Sequence, residues 1–316
     1  MNINNKMMKM SRYILLMLSA AFMAAEATAQ QDAMFTHYMY NTLAINPAYA
    51  GSREALTVTA LHRSQWVGFA GAPMTQTLTA HTPFKRENIG LGMSIMNDNI
   101  GKINNSSIYL DFAYRIRLDK KSMLSIGLKG GVNIFRAKFD DLTTIQNNDQ
   151  SFQTAGAALA PNFGFGLYYN RDRFYAGIST PRLLENNFRQ NGSAVIALKE
   201  QRHYFFIAGY QFKLSNTLDL KPTTFVKVTS GAPVEADLTA SLIWKKMLHI
   251  GAMFRTGDSY GILAGYNITN QLFLSYSFDW SYGLQTVRYH GGSHEVMLRY
   301  DFIFTPSHKA VSPRYF

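Results

Sequence analysis

Few residues in this chain are spaced to do covalent chemistry. Its 316 residues include no cysteine, which removes a thiol nucleophile, a disulfide framework and any cysteine-based metal site. The 8 histidines are scattered. His290 and His294 stand four apart, but a Gly-Gly pair between them makes this a loop and not one face of a helix. Asn97-Asp98-Asn99-Ile100-Gly101 offers oxygens to a calcium ion yet lacks the distal glutamate of an EF-hand loop, and reads as a β-turn. Gly90-x-Gly92 and Gly164-x-Gly166 lie inside strand patterns, where small residues relieve curvature, and neither opens a phosphate-cradling helix. Ser64, His62 and Glu54 share one strand, without a spacing that builds a nucleophile–base–acid relay. The expectation is a protein with no catalytic residues and no cofactor or metal.

The elements that carry these residues are strands. In Gln271–Ser281, Leu272, Leu274, Tyr276, Phe278 and Trp280 alternate with Phe273, Ser275, Ser277, Asp279 and Ser281. Ile108–Leu118 and Glu295–Phe304 alternate in the same way, so each has one apolar and one mixed polar face. The period-two pattern predicts fourteen strands near 55–66, 74–82, 88–97, 106–118, 122–135, 161–169, 173–180, 202–213, 217–228, 234–244, 247–256, 260–268, 272–281 and 294–304. Most are longer than the usual strand of a globular sheet and match the 9–11 residues a tilted strand needs to cross a bilayer.

Composition supports that solvent. Charged residues are 16% of the chain, aromatic residues 14%, and mean hydropathy is −0.11. Disordered chains carry few aromatics, and helical membrane proteins carry long apolar runs absent from the mature chain. The formal charge of +11 comes without a basic run or nucleic-acid-binding motif, so a solvated basic rim is the first reading, polyanionic lipid or an acidic partner the second, and nucleic acid is not expected.

Connection lengths give an independent test. From Pro83–Glu87 onward, every second connection is short, whereas the other set includes the long segments 137–160 and 181–201. Outer-membrane barrels keep turns short on the periplasmic side and loops longer outside. The expected fold is therefore all-β, a transmembrane antiparallel β-barrel of about fourteen strands with an aromatic girdle that includes Trp66, Trp244 and Trp280. Arg115, Arg117, Arg299 and Asp301 then face the lumen.

Before the barrel, Lys6, Lys9 and Arg12, the apolar run Tyr13–Ala25 and the Ala27-Thr28-Ala29 site read as a secretory signal peptide over residues 1–29. Residues 30–53 form an N-terminal arm or plug, expected to tuck into the periplasmic mouth. The barrel occupies 54–304 and a tail 305–316.

Several blocks carry a family resemblance. They are Asn46-Pro47-Ala48-Tyr49-Ala50-Gly51, then Arg63 with Gln65-Trp66 and Gly71-Ala72-Pro73, then Leu220-Lys221-Pro222, and Gly292-Ser293-His294-Glu295 before the last strand. With them the chain resembles the PorP/SprF family of the Bacteroidetes type IX secretion and gliding system. The resemblance implies an integral protein of the Gram-negative outer membrane that helps export or surface-anchor cargo with a C-terminal secretion domain, often large adhesins. It also implies periplasmic partners, namely secretion-ring proteins and a peptidoglycan-binding OmpA-like lipoprotein. It assigns no role to the individual signature residues. The short turns carry Lys85, Arg86, Lys120, Lys121, Arg171, Arg173, Lys245 and Lys246, which read first as a solvated rim and second as a periplasmic docking surface for acidic partners. Two other functions fit a barrel: a solute channel of the fatty-acid-transporter kind, and a lumenal or surface enzyme.

Overall fold

The computed structural model describes residues 34–53, 55–84, 88–137, 155–189, 197–282 and 290–303. The leader, the tail, Lys85 and Arg86 fall outside these. The described chain is all-β and closes into a fourteen-stranded antiparallel barrel. In chain order the staves are β1 (Leu56–Ser64), β2 (Met74–Pro83), β3 (Ile89–Ile100), β4 (Ile103–Arg117), β5 (Ser122–Ala137), β6 (Ala155–Arg171) and β7 (Phe174–Thr180). A small hairpin, β8 (Asn187–Arg189) and β9 (Ala197–Lys199), stands apart from the barrel. The barrel resumes with β10 (His203–Tyr210) and its continuation β11 (Phe212–Lys213), then β12 (Leu218–Thr229), β13 (Glu235–Trp244) and β14 (Leu248–Arg255). It ends with β15 (Ser259–Asn267), β16 (Leu272–Ser281) and β17 (Ser293–Phe302). Each stave pairs with its chain neighbours, and β17 closes on β1.

The predicted alternation sets the two faces. Leu110, Phe112, Leu128, Phe163, Ile178, Leu238 and Ile262 are exposed on the outside, as residues facing lipid. Inward positions are buried and rich in hydroxyls, among them Thr57, Thr59, Thr77, Thr79, Ser94, Thr223, Thr239 and Ser275. Arg115, Arg299 and Asp301 are also buried there, while Arg117, the last residue of β4, is exposed.

Three details differ from the sequence reading. The strands β3 and β4 run on past Asn97, and the turn sits at Gly101-Lys102 instead. Asn104 donates to Asn97 (2.7 Å) and Asn99 (2.6 Å), which lets side chains extend the ladder and leaves Gly101, at φ 58°, to turn the chain. Trp66 is not part of a lipid-facing girdle: it lies beyond β1, and its indole N–H donates to the inward-facing Ser281 at 3.3 Å. Trp244 and Trp280 do sit exposed at the C-terminal ends of their strands, and so at opposite ends of the barrel. Pro222 stands inside β12, paired with Ala240, and has no N–H to donate. The facing ladder is interrupted there, between Gly209↔Thr223 and Phe212↔Leu220, and Gln211 N donates to Arg173 O in the β6–β7 turn at 2.9 Å.

Candidate functional site

The lumen holds the chain's own N-terminal segment. Residues 35–53 are buried throughout, so the apolar core of the protein lies inside the barrel and not between layers. Phe35, Tyr38, Met39, Tyr40, Leu43, Ile45 and Tyr49 pack against the inward rings Tyr168, Tyr175, Phe205, Phe225 and Phe273. The segment is compact: a turn over 36–40, a single helical turn α1 (Thr42–Ile45), and a 3-10 turn at Pro47–Tyr49. Asn46 ends α1 and starts the next turn, because its Oδ1 accepts from Ala48 N at 2.9 Å while proline fixes the first position.

The direction of travel differs from the expected mouth-bound arm. Phe35–His37 contact strand ends on the long-loop side, whereas Arg53 lies at the short-turn end. The segment therefore runs the length of the lumen, and only its C-terminal part occupies the mouth where an arm was expected. A sequence has no term for the depth to which a tethered segment enters, which is why alternation alone could not supply it.

At the long-loop end one carboxylate gathers the plug. Glu295, wholly buried, accepts from Thr36 N (2.9 Å), His37 N (2.8 Å), His37 Nδ1 (2.6 Å) and Arg63 Nη1 (3.1 Å). The same Arg63 Nη1 donates to Asp279 (2.6 Å), which also accepts from Thr36 Oγ1 (2.6 Å). His37 Nε2 meets Ser275 Oγ at 2.7 Å. Nearby, Arg255 is held by Asp237 through two contacts of 2.8 Å and reaches the carbonyl of Phe35 at 3.4 Å. Buried charges persist only when paired and hydrogen-bonded, and this cluster meets that condition.

Mid-lumen contacts are neutral or single. Tyr38 OH meets Thr223 and Thr239 at 3.1 and 3.2 Å, and Asn41 bridges Thr77 (2.9 Å) and Thr79 (2.8 Å). Lys129, paired with Asp111 at 3.4 Å, points at the carbonyls of Leu43 and Ala44, the open end of α1. At the short-turn end Arg53 grips Asp301 (2.8 and 3.1 Å), which also accepts from Thr57 Oγ1 at 2.6 Å.

Three wall glycines set how closely the plug can lie. A Cβ on Gly127 would fall 2.1 Å from Ala48 N, and one on Gly166 would fall 2.1 Å from Asn46 Oδ1. Gly166 therefore serves the plug and not strand curvature, and Gly90 likewise faces the carbonyl of Ala50. Gly164 instead lies against Pro181 of the long loop.

The signature residues now divide into three groups. Asn46, Pro47, Ala48, Tyr49 and Gly51 form the lower plug, with Asn46 Nδ2 donating to Leu167 O at 3.0 Å and Gly51 N to His81 at 3.2 Å. Arg63 and Glu295 hold its upper end. Gln65, Trp66, Pro222 and His294 lie elsewhere: Gln65 N donates to Pro73 O (3.0 Å) in the β1–β2 loop, and His294 meets Tyr276 OH at 2.7 Å on the outer wall. Sequence reasoning missed Asp279, Ser275 and His37. The available signal was acidic residues inside otherwise apolar strands.

The basic turn residues gather on one end. Lys120 and Lys121 (β4–β5) and Arg171 and Arg173 (β6–β7) occupy neighbouring turns, and Lys245 and Lys246 a turn four staves on, between β13 and β14. Two acids join them. Lys121 pairs with Asp172 at 3.1 Å, and Asp119 accepts from the N–H groups of Lys121 (2.6 Å) and Ser122 (2.8 Å). The Lys121 N–H, aided by Ser122, holds the Asp119 carboxyl below its ordinary range. Lys245 lies 4.7 Å over the Trp244 ring, and both lysines of that turn have positive φ.

Among the described residues no three His, Asp or Glu side chains converge as a metal site. His62 Nε2 and Ser64 Oγ are 3.1 Å apart on the outer wall, and Glu54 lies outside the described residues.

Comparison with known proteins completes the picture. No curated relative matches the chain in sequence. Similar solved structures include the KdgM porin, at 9% identity and TM-score 0.38, covering 78% of this chain and 100% of that one. A Pseudomonas aeruginosa FadL homologue has 11% identity and TM-score 0.47 over 89% and 96% of the two chains. The outer membrane phospholipase A from Escherichia coli has 11% identity and TM-score 0.39 over 80% and 98%. The family model of the type IX secretion system membrane protein PorP/SprF matches residues 27–300, from before the plug into the last strand. The chain thus belongs to the PorP/SprF family of type IX secretion membrane proteins and is a β-barrel of the outer membrane.

Proposed function

We propose that this barrel is a sealed, non-catalytic scaffold of the type IX secretion and gliding machinery, assisting export or surface anchoring of large adhesins that carry a C-terminal secretion domain. The observation that carries the reading is the plug. A fourteen-stranded barrel encloses more space than its wall side chains fill, and here that space is taken up by residues 34–53. A barrel closed in this way offers its ends, not its lumen, to partners. By the rule for outer-membrane barrels the short-turn end faces the periplasm. The basic turn residues then address acidic surfaces of the secretion ring or of the OmpA-like lipoprotein, and the long-loop end faces outward.

The test has two arms. Deleting the gene is expected to remove adhesin from the cell surface while permeability to small solutes stays normal, and liposomes containing the protein are expected not to swell. Reversing Lys120, Lys121, Arg171, Arg173, Lys245 and Lys246 to glutamate is expected to abolish co-purification with periplasmic ring proteins. Swelling by the unaltered protein would instead establish a solute channel. Unchanged co-purification after charge reversal would remove the docking rim.

A further inference from the structure

The lipid-facing wall carries a lengthwise trough. Along β12 the outward side chains Leu218, Leu220, Pro222 and Thr224 are half-buried. Their neighbours stand higher: Tyr210 and Phe212 on β10 and β11, and Leu238, Leu242 and Trp244 on β13, are between 41% and 54% exposed. Phe212, Leu220 and Leu242 form one cross-strand row, so Leu220 is the low point between two ridges.

The trough opens into a recess of about 560 Å³, floored by Ala208, Pro222, Ala240 and Ala252 and bounded by Phe174 and Phe254. Pro222 pairs with Ala240 and Ala240 with Ala252, which sets small side chains side by side across three staves. The recess lies where Pro222, with no N–H to donate, interrupts the ladder to β10. In a bilayer, lipid is as apolar as the wall, so van der Waals fit decides what binds. A chain lying in the trough touches a floor and two flanks, whereas a convex wall offers one surface.

Depth and charge say which lipid fits. A strand rising about 3.4 Å per residue at a tilt of about 40° gains roughly 2.6 Å of depth per residue, which puts Ala240, in mid-strand, about 10 Å in from Trp244 and near the middle of an apolar band of about 25 Å. The trough therefore spans the leaflet on the short-turn side. Its mouth is basic. Lys245 lies 4.7 Å over the Trp244 ring, and its N–H donates to Thr217 O at 2.6 Å, beside the start of β12. Arg173, exposed, stands on the other side, next to Phe174 of the recess. The nearby acids are engaged: Asp172 with Lys121 at 3.1 Å, and Asp219 by Gln211 Nε2 at 3.1 Å. At the long-loop end of the same staves Lys227 and Arg255 are taken by Glu235 and Asp237. Basic side chains at a membrane surface attract anionic headgroups.

We infer that the trough along β12 seats one acyl chain of an anionic phospholipid from the periplasmic-side leaflet, with its phosphate between Lys245 and Arg173 and its chain end in the recess at Pro222 and Ala240. The seat requires the membrane-spanning barrel and its orientation, not the secretion role.

The test is native mass spectrometry of the purified full-length barrel, stripped of lipid and titrated with phosphatidylglycerol or phosphatidylethanolamine of the same chains. One phosphatidylglycerol is expected to bind at least about tenfold more tightly than phosphatidylethanolamine and than any further copy. Ala240→Phe with Ala252→Phe fills the recess and is expected to remove that first site while heat-modifiable gel mobility is kept. Arg173→Gln with Lys245→Gln is expected to bring phosphatidylglycerol down to the level of phosphatidylethanolamine. The filled recess leaves the basic rim intact, so a failure of the lipid seat and a failure of rim docking are read separately. Graded uptake of several lipids with no distinct first copy would overturn the proposal, as would a first site indifferent to the filled recess. A dimer of this chain abolished by the same filling would also overturn it, by giving the trough to a second copy.

Discussion

Replacing Glu295 with alanine should undock the upper plug while leaving the barrel closed. The carboxylate accepts four hydrogen bonds, two from backbone N–H groups of Thr36 and His37, one from the His37 ring and one from Arg63. Its loss leaves the two backbone donors and the His37 Nδ1 without this partner and leaves Arg63 with Asp279 as its remaining acid partner. An orphaned buried donor costs about 1–3 kcal/mol, and removing one arm of a buried ion pair costs about 3–5 kcal/mol. These overlap, and undocking itself relieves part of them, so about 4 kcal/mol is a fair weight for the docked state, or about a thousandfold in the opening equilibrium. The chain has no cysteine, so Met39→Cys introduces a single thiol at a position 2% exposed. Where reclosing outruns labelling, the maleimide rate follows the opening equilibrium. Labelling of that thiol should rise about a thousandfold with Glu295→Ala and less with Glu295→Gln, which keeps one acceptor oxygen. Heat-modifiable mobility confirms the barrel in each variant. A rate within about threefold of the parent would refute the claim that Glu295 holds the plug.

Two other perturbations separate packing from charge. Gly127→Val places a side chain where the backbone of Ala48 lies, its Cβ 2.1 Å from Ala48 N, so the lower plug is expected to be expelled; planar-bilayer recordings should then show ion conductance absent from the parent. At the β4–β5 turn the folded carboxyl of Asp119 is depressed, so its contribution is present above the ordinary carboxylate range and is lost as pH falls through the lower folded value. The melting difference between the parent and Asp119→Ala should therefore be visible at neutral pH and vanish in acid.

The barrel was legible because its signal is local. Each strand declares itself within about ten residues, since every lipid-facing side chain alternates with a lumen-facing one. Leu110, Leu128 and Ile262, exposed on the outside, were readable in this way. The plug's contacts were not. Thr36 and Glu295 are 259 positions apart, and nothing in either neighbourhood says that a backbone N–H will meet that carboxylate. Gly166 illustrates the same limit, because a missing Cβ suits curvature and close approach equally until the neighbour is known. Asn46-Pro47 lies between these cases. Its helix-stopping role was local and readable, whereas its seat against Gly127 and Gly166 was not.

The plug's strongest contacts share one feature that bears on how the barrel closes. First and last strands, β1 and β17, form the seam of the cylinder, with Arg63 opposite Glu295 and Thr57 opposite Asp301. The upper plug binds Arg63 and Glu295 together, and the lower plug binds Asp301 through Arg53, beside Thr57. Both ends of one segment are thus fastened across the seam, at the long-loop end and at the short-turn end. A segment that spans the seam inside adds charged hydrogen bonds at the two places where an antiparallel pair frays first. The tether reinforces this, since only Glu54 and Ala55 separate Arg53 from β1, so the plug cannot leave by the long-loop end without dragging the seam strand with it. Withdrawal toward the short-turn end remains topologically free, and it breaks both seam contacts. Filling the lumen and holding the cylinder shut are therefore one interaction in this protein, which is why a plug-loosening substitution such as Glu295→Ala must be checked for barrel closure before any change in permeability is ascribed to an open pore.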